Sequence, residues 1–328
     1  MTVKIIALLA ALTLTAATVA ASGPHETVDV STAKGKWAGF EFKKTKEFIR
    51  EMETRPDFPV SVPLAYDYVY SLRAMGDTIQ PARKKSIIEY LRRSQQDDGG
   101  FIGDKSNKTS SALFTDTALE TLSYLERPGA AETEKAKKFV LSLKNPDGGF
   151  GFSSLSREST LATTYYAVKI LASAKSLGSV DKARTAGLIK GFEKKETGGF
   201  GYEKGKGNAT AKATYMALYT LNALGMLDNA TKNHSLRYLE SLPCGKHGGK
   251  ERTELNELAF AVQGAKLLKA KDAIDAKKVT AFLKAINIPV NGGFAPLEGY
   301  GSTPDSTTTA LRIFAETEKL KIPAPVGE

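Results

Sequence analysis

A Gly-Gly pair returns five times along this chain and is followed by Phe in four of the five cases: Gly99-Gly100-Phe101, Gly148-Gly149-Phe150, Gly198-Gly199-Phe200, Gly248-Gly249-Lys250 and Gly292-Gly293-Phe294. The steps are 49, 50, 50 and 44 residues. A fixed period of this size is the mark of one supersecondary unit stacked many times. Paired glycines permit positive φ and a tight chain reversal, so each pair reads as a hairpin bend with the Phe plugging its end.

Before each bend lies an amphipathic segment. Ile87, Tyr90 and Leu91 share one face; Ala136, Phe139, Val140 and Leu143 repeat the pattern, as do Leu188, Ile189 and Phe192, then Leu236 and Leu239, then Val279, Phe282, Leu283 and Ile286. This three-to-four spacing is that of a helix face, and the Lys- and Glu-rich remainder places these helices on the outside. After each bend comes a segment of different character, such as Ser110–Leu125, Thr160–Leu171, Thr210–Leu224 and Ser306–Ala315. These open on hydroxyl residues and carry few charges. A helix apolar around most of its circumference is a buried one. Lys44–Met52 and Leu64–Met75 supply a degenerate first pair, with Pro63 placed to start its second helix. Six helical hairpins result, and the period alone leaves open whether they form a solenoid or a closed ring.

The N-terminus has the three parts of a secretory signal: Lys4, an apolar run from Ile5 to Ala17, and a small-residue exit at Val19-Ala20-Ala21-Ser22. The run is too short for a membrane span. A secreted protein is therefore expected, or a periplasmic one in a bacterium, with no integral membrane segment after cleavage. Asn107, Asn208, Asn229 and Asn233 head Asn-x-Ser/Thr sequons in segments read as loops or helix junctions, and are the glycosylation candidates. The net charge is +10, but the lysines are scattered and form no dense block, so a solvated surface is expected rather than a nucleic-acid partner. Cys244 is the one cysteine, so no intramolecular disulfide exists. Cys244-x-x-His247 is a lone ligand pair where zinc normally takes four.

Asn145-Pro146-Asp147-Gly148-Gly149-Phe150-Gly151 and Glu196-Thr197-Gly198-Gly199-Phe200-Gly201 resemble the Gly-Gly-aromatic repeat of protein prenyltransferase β subunits. Asp305-Ser306-Thr307-Thr308-Thr309-Ala310-Leu311 resembles the family's inner-helix start. The resemblance spans about residues 45–316, and triterpene cyclases share the repeat, so it speaks to fold before chemistry. It implies an all-α, α6/α6 toroid with inner and outer helix rings around a central cavity. The organisation expected is a signal peptide over 1–21, an arm over 22–43, the toroid over 44–316 and a tail over 317–328.

The resemblance also implies a zinc site, with Asp and Cys on one inner-helix start and His on the next. The matching positions fall near Glu254, Asn256 and Thr308. Asn256 and Thr308 are poor zinc ligands, so no metal and no cofactor are expected. Positions that would meet a prenyl diphosphate hold Thr164 and Ala211, leaving Lys250 and Arg252 in the fifth loop for an anion. Asp97-Asp98 lacks the third carboxylate of a cyclase acid. Tyr165, Tyr166, Tyr215 and Tyr219 with Asp116, Glu158 and Asp305 are the remaining polar groups read near a cavity. The tyrosines also suit core packing, and Asp116 and Asp305 also suit helix caps. The expected function is a secreted toroid that binds a lipid, peptide or protein at an apolar, aromatic-lined centre without prenyl transfer. The candidate contacts are Lys250, Arg252, Glu254, Asp305, Tyr165 and Tyr215. The alternatives are an enzyme of the prenyltransferase or terpene cyclase type with altered chemistry, and a toroidal glycan-active enzyme.

Overall fold

The computed structural model describes residues 39–242, 254–270 and 273–317. The segment read as a signal peptide, residues 318–328 of the expected tail, Cys244, His247, Lys250 and Arg252 lie outside the described residues. Twelve α-helices are found among them: α1 (Phe42–Arg50), α2 (Val62–Ala74), α3 (Pro81–Ser94), α4 (Ala112–Leu125), α5 (Ala130–Ser142), α6 (Leu161–Ser173), α7 (Lys182–Lys190), α8 (Ala211–Ala223), α9 (Asn229–Ser241), α10 (Leu255–Leu267), α11 (Ala276–Ile286) and α12 (Pro304–Thr317). The odd helices are the amphipathic ones. The even helices bury most of their length; in α2 this includes Ala65, Tyr66, Tyr68, Val69, Tyr70 and Leu72.

Each even helix packs on the next, α2 on α4 and so on to α12, and α12 packs back on α2. The array is therefore a closed ring of six inner helices, the choice that the repeat period left open. Neighbouring inner helices run parallel, because Tyr66 meets Glu120 while Arg73 meets the Tyr124 carbonyl further along both. At the closing seam the Ser71 and Thr308 hydroxyls lie 2.9 Å apart.

The hydroxyl residues heading the inner helices divide into two jobs. Ser61, Ser111, Thr160, Thr210 and Thr303 are N-caps, each accepting the backbone N–H three residues on. Thr115, Thr164, Thr214 and Thr307 lie deeper in the helix and accept the N–H of the loop aromatic, at 2.9, 3.3, 2.9 and 3.0 Å for Phe101, Phe150, Phe200 and Phe294. Those four rings are fully buried. The residue before each glycine pair closes the bend: Asp98, Asp147 and Asn291 accept the second glycine's N–H and bond Ser110, Ser159 and Ser302. Asp98 is thus an exposed turn residue.

Each loop is also tied to the outer helix of the following hairpin. The Gly148 carbonyl accepts from Thr185 on α7 and the Gly198 carbonyl from Ser235 on α9. The Gly292 carbonyl accepts from Thr45 on α1, which joins the last hairpin to the first. Thr214→Val keeps the shape but strands the buried Phe200 N–H. A loss of about 1–3 kcal/mol is expected, read as a lower denaturant midpoint.

Some local expectations are corrected. α1 ends at Arg50, and Glu51–Thr54 form a 3-10 turn. Pro63 sits in the first turn of α2, which starts at Val62 rather than Leu64. Leu236 is half-exposed, and Tyr238 fills the core beside Leu239. Asn233 lies inside α9, one turn after Asn229, not in a loop. No described helix is long and apolar enough to cross a membrane.

Candidate functional site

All six inner helices contribute to one central cavity of about 130 Å³. Its polar lining is Tyr66 from α2, Asp116, Thr117 and Glu120 from α4, Tyr165, Tyr166 and Lys169 from α6, Gln263 from α10 and Arg312 from α12. Leu113, Met216 and Phe260 supply the apolar part. The centre is therefore charged as well as aromatic, which corrects the apolar centre expected from sequence.

Lys169 organises one side. Its ammonium donates to Asp116 Oδ2 at 2.8 Å and to Glu120 Oε2 at 2.9 Å. The other Glu120 oxygen accepts from the Tyr124 hydroxyl at 3.0 Å and from Tyr66 at 3.3 Å. Asp116 and Glu120 are one helical turn apart on α4, which puts two carboxylates on one face. Burial pushes the Asp116 carboxyl up, Lys169 pulls it back, and the nearby Glu120 adds to the rise, leaving it at about 6. Burial works against the Lys169 cation, but Asp116 and Glu120 outweigh it and hold its pKa well above the usual value.

Arg312 organises the other side. Its Nη2 donates to the Tyr66 hydroxyl. The guanidinium lies 5.5 Å from the Tyr66 ring centre and 5.4 Å from that of Tyr70, both cation–π distances. Among the described residues, no carboxylate stands within ion-pair distance of it. Two buried nitrogens of the lining residues, Arg312 Nε and Gln263 Nε2, have no hydrogen-bond partner among the described residues. Burial raises Tyr66 and Tyr165 well above the normal phenol range, so both stay neutral donors. Outside the cavity, at the α2–α12 seam, Asp67 rises to about 7 through burial and the charge of Asp305, against a lowering contact with Thr308.

Tyr165 lines the cavity. Tyr215 stands behind it, 6.1 Å from Tyr165 and 5.7 Å from Phe260 between ring centres. Glu254 is exposed at the start of α10 without capping it, and its neighbour Asn256 accepts from Thr309 at 3.5 Å. Thr308 is buried and bonded to Ser71 and the Asp67 carbonyl. A carboxylate beside an amide and a buried, committed hydroxyl is not a zinc donor set, and no group of three or more His, Cys, Asp or Glu able to hold a metal occurs among the described residues. Asp305 is exposed in the first turn of α12, where Thr303 is the cap, and Glu158 is exposed in a loop. Thr164 holds the Phe150 N–H, and the Ala211 N–H donates to Glu257 at 2.6 Å. Asp116 is buried in the second turn of α4, where Ser111 is the cap. Asn208, Asn229 and Asn233 are exposed and Asn107 is half-buried.

Sequence reasoning missed Glu120, Lys169, Gln263 and Arg312. Their signal was present: Lys169 is the single charge of α6, and Arg312 stands alone within the apolar run Ala310-Leu311-Arg312-Ile313-Phe314-Ala315 of α12. A lone charge on a buried helix must face a partner or a cavity.

The family model of the prenyltransferase alpha-alpha toroid domain matches residues 57–186, 103–253 and 233–322. The β subunit of geranylgeranyl transferase type-2 from Saccharomyces cerevisiae is 35% identical over 101 residues, 31% of this chain and 30% of that protein. The chain thus spans under a third of the length of that curated relative. Among solved structures, Candida albicans protein geranylgeranyltransferase-I complexed with GGPP aligns with a TM-score of 0.67 at 14% identity, over 82% of this chain and 89% of that one. The apo type II terpene cyclase MstE from Scytonema gives 0.53 at 12%, over 85% and 87%. A protein from Actinoplanes gives 0.54 at 13%, over 83% and 97%. At these identities the structural likeness concerns the fold.

Proposed function

The chain belongs to the prenyltransferase α/α-toroid family, and from that premise we propose that it is a secreted member that holds a small polar ligand in its central cavity and transfers no prenyl group. The observation that carries this reading is the set of four charged side chains, Asp116, Glu120, Lys169 and Arg312, lining a cavity of about 130 Å³. Pockets that bury drug-sized ligands run to about 300–1,000 Å³. The hydrocarbon chain of a long isoprenoid, such as that of the GGPP in the Candida albicans complex, gains nothing from walls that carry four charges. A lipid chain, a peptide or a protein strand suits this space less than a small molecule does. The residues at the implied zinc positions, Glu254, Asn256 and Thr308, support loss of the transfer reaction. The Lys4–Ser22 pattern supports secretion, which would remove the protein from intracellular prenyl diphosphates. The four sequons would carry glycans in a eukaryotic secretory pathway.

Native mass spectrometry of the secreted protein, followed by incubation with geranylgeranyl diphosphate, zinc and a cysteine peptide, tests the reading. The expected result is a chain starting after residue 21, without stoichiometric zinc and without peptide prenylation. One zinc per chain together with prenyl transfer would overturn it.

A second reading, an enzyme with rebuilt chemistry, rests on Asp116. A cavity carboxyl at about 6 is suited to exchange a proton near neutral pH. Under that reading Asp116→Asn abolishes turnover of the bound molecule while leaving it bound.

A further inference from the structure

We infer that the cavity takes a small carboxylate, whose anionic end sits between Gln263 and Arg312 and whose body is a single ring or a short apolar chain. The inference rests on the reading of the cavity as a ligand site.

Hydrogen-bond accounting separates what the lining has from what it lacks. Its two carboxylates are served by fixed donors, Asp116 by Lys169 and Glu120 by Lys169, Tyr66 and Tyr124. An amine ligand would have to compete with those donors. The unmet groups are of the opposite kind: Gln263 Nε2 and Arg312 Nε are buried donors without acceptors among the described residues, and Gln263 is only 4% exposed. Buried donors are nearly always paired in folded proteins, and each one left alone costs about 1–3 kcal/mol. Both side chains line the cavity, so a small rotation of the Gln263 amide and of the Arg312 guanidinium turns these donors to a ligand that brings acceptors.

The two donors are neighbours. Lys266 on α10 pairs with Glu316 on α12. Gln263 and Arg312 each lie one turn earlier on those parallel helices, so they stand side by side at one level of the ring. Among the described residues, the Arg312 guanidinium meets the Tyr66 and Tyr70 rings and the Tyr66 hydroxyl at contact distance, with the Glu120 charge acting from farther away. A planar guanidinium fork matches a carboxylate better than any other small anion of one charge. Size sets the rest of the ligand. A cavity of about 150 Å³ accepts benzene; this one, about 130 Å³ with Tyr165, Tyr166, Phe260 and Met216 as walls, is slightly smaller but not fully enclosed, so a ring bearing a carboxylate fits with one edge in the opening.

Calorimetric titration of the purified full-length protein with benzoate, benzamide and benzylamine tests the assignment. Benzoate is expected to bind one per chain, at least tenfold tighter than benzylamine. Gln263→Leu is expected to weaken benzoate about tenfold while leaving the melting temperature unchanged or raised, because it removes a stranded donor. A merely structural Gln263 would instead lower the melting temperature and weaken benzoate and benzamide alike. Arg312→Lys keeps the charge but loses the fork, and is expected to weaken benzoate at least tenfold. Benzylamine binding as tightly as benzoate, or Gln263→Leu leaving benzoate affinity untouched, overturns the carboxylate and leaves the cavity as a ligand site. So does a copurifying molecule without a carboxylate. A folded protein that binds none of the three probes and retains no molecule in native mass spectrometry overturns both readings.

Discussion

Lys169→Met is expected to lower stability by about 3–5 kcal/mol near neutral pH, the range seen when one partner of a buried ion pair is removed. Three features place this substitution among the most costly in the chain. Lys169, Asp116 and Glu120 are all largely buried, with side chains 14%, 9% and 12% exposed. The lysine bridges two carboxylates one turn apart on α4, so its removal leaves two like charges facing each other in a low-dielectric space. Met matches the stem of the lysine, so lost packing contributes little.

The loss should depend on pH in a definite direction. Without the ammonium, the Asp116 carboxyl in the folded protein loses the one contact that lowers it most and rises further above its unfolded value. A carboxyl whose folded pKa is raised costs nothing below its unfolded pKa, and its full penalty is present above the folded one. The deficit of Lys169→Met is therefore expected to shrink as pH falls from 8 towards 4. The triple replacement Asp116→Asn, Glu120→Gln, Lys169→Met should recover part of the stability at pH 8, since the two facing carboxylates are gone, while the Arg312 cation loses the charge of Glu120. Denaturant titrations at pH 5 and 8 decide the matter, and a deficit equal at both values would assign the loss to packing rather than charge. The wild-type protein carries a weak form of the same trend, because Asp116 sits at about 6 instead of 3.8: it loses some stability as pH rises through that interval.

How much of this is legible in the sequence follows from what kind of signal each part leaves. The hairpins are readable because a helix face repeats every three to four residues and a bend needs a residue free of Cβ, both local demands. The threonines that hold the loop aromatics are visible only as a hydroxyl-rich helix start; that Thr115 and Thr164 bond an N–H fourteen residues back requires the hairpin to be folded. Ring closure depends on Ser71 meeting Thr308 across 237 residues, and no local pattern encodes that. The charge cluster is the largest omission. Asp116 suits a helix start and reads as a cap, but Ser111 already holds that place. Lys169 and Arg312 each look like an ordinary surface charge until their helices are shown to be inner ones. Lys250 and Arg252, the anion contacts expected from their loop position, lie outside the described residues, whereas the partly buried guanidinium of Arg312 stands in the cavity itself.

Gly292→Ala is the second substitution from which a large effect is expected, and it tests closure of the ring. Gly292 has φ +73°, a conformation that costs an alanine about 1–2 kcal/mol by itself. A β-carbon there would also lie 2.5 Å from the Thr45 nitrogen and 2.7 Å from the Lys44 carbonyl carbon. Those are backbone atoms of α1, so relief requires the helix to move, at a further cost of about 1–3 kcal/mol. Movement of α1 would break the Thr45 bond to the Gly292 carbonyl and the Lys44 bond to the Pro289 carbonyl. Two comparisons separate the contributions. Gly205 has φ +66° with nothing within 4 Å of where a β-carbon would stand, so Gly205→Ala should show only the conformational penalty. Gly148 has φ +86° and a β-carbon position 2.8 Å from the Thr185 nitrogen of α7, so Gly148→Ala should lose as much stability as Gly292→Ala. The two differ in where the strain falls. Gly148 joins hairpins that are consecutive in the chain and remain connected if the joint loosens, whereas Gly292 joins the sixth hairpin to the first. Only Gly292→Ala is therefore expected to speed amide hydrogen exchange along the α2–α12 seam around Ser71 and Thr308. Equal exchange at that seam in both variants would mean that the packing of α12 on α2 closes the ring without help from the glycine joint.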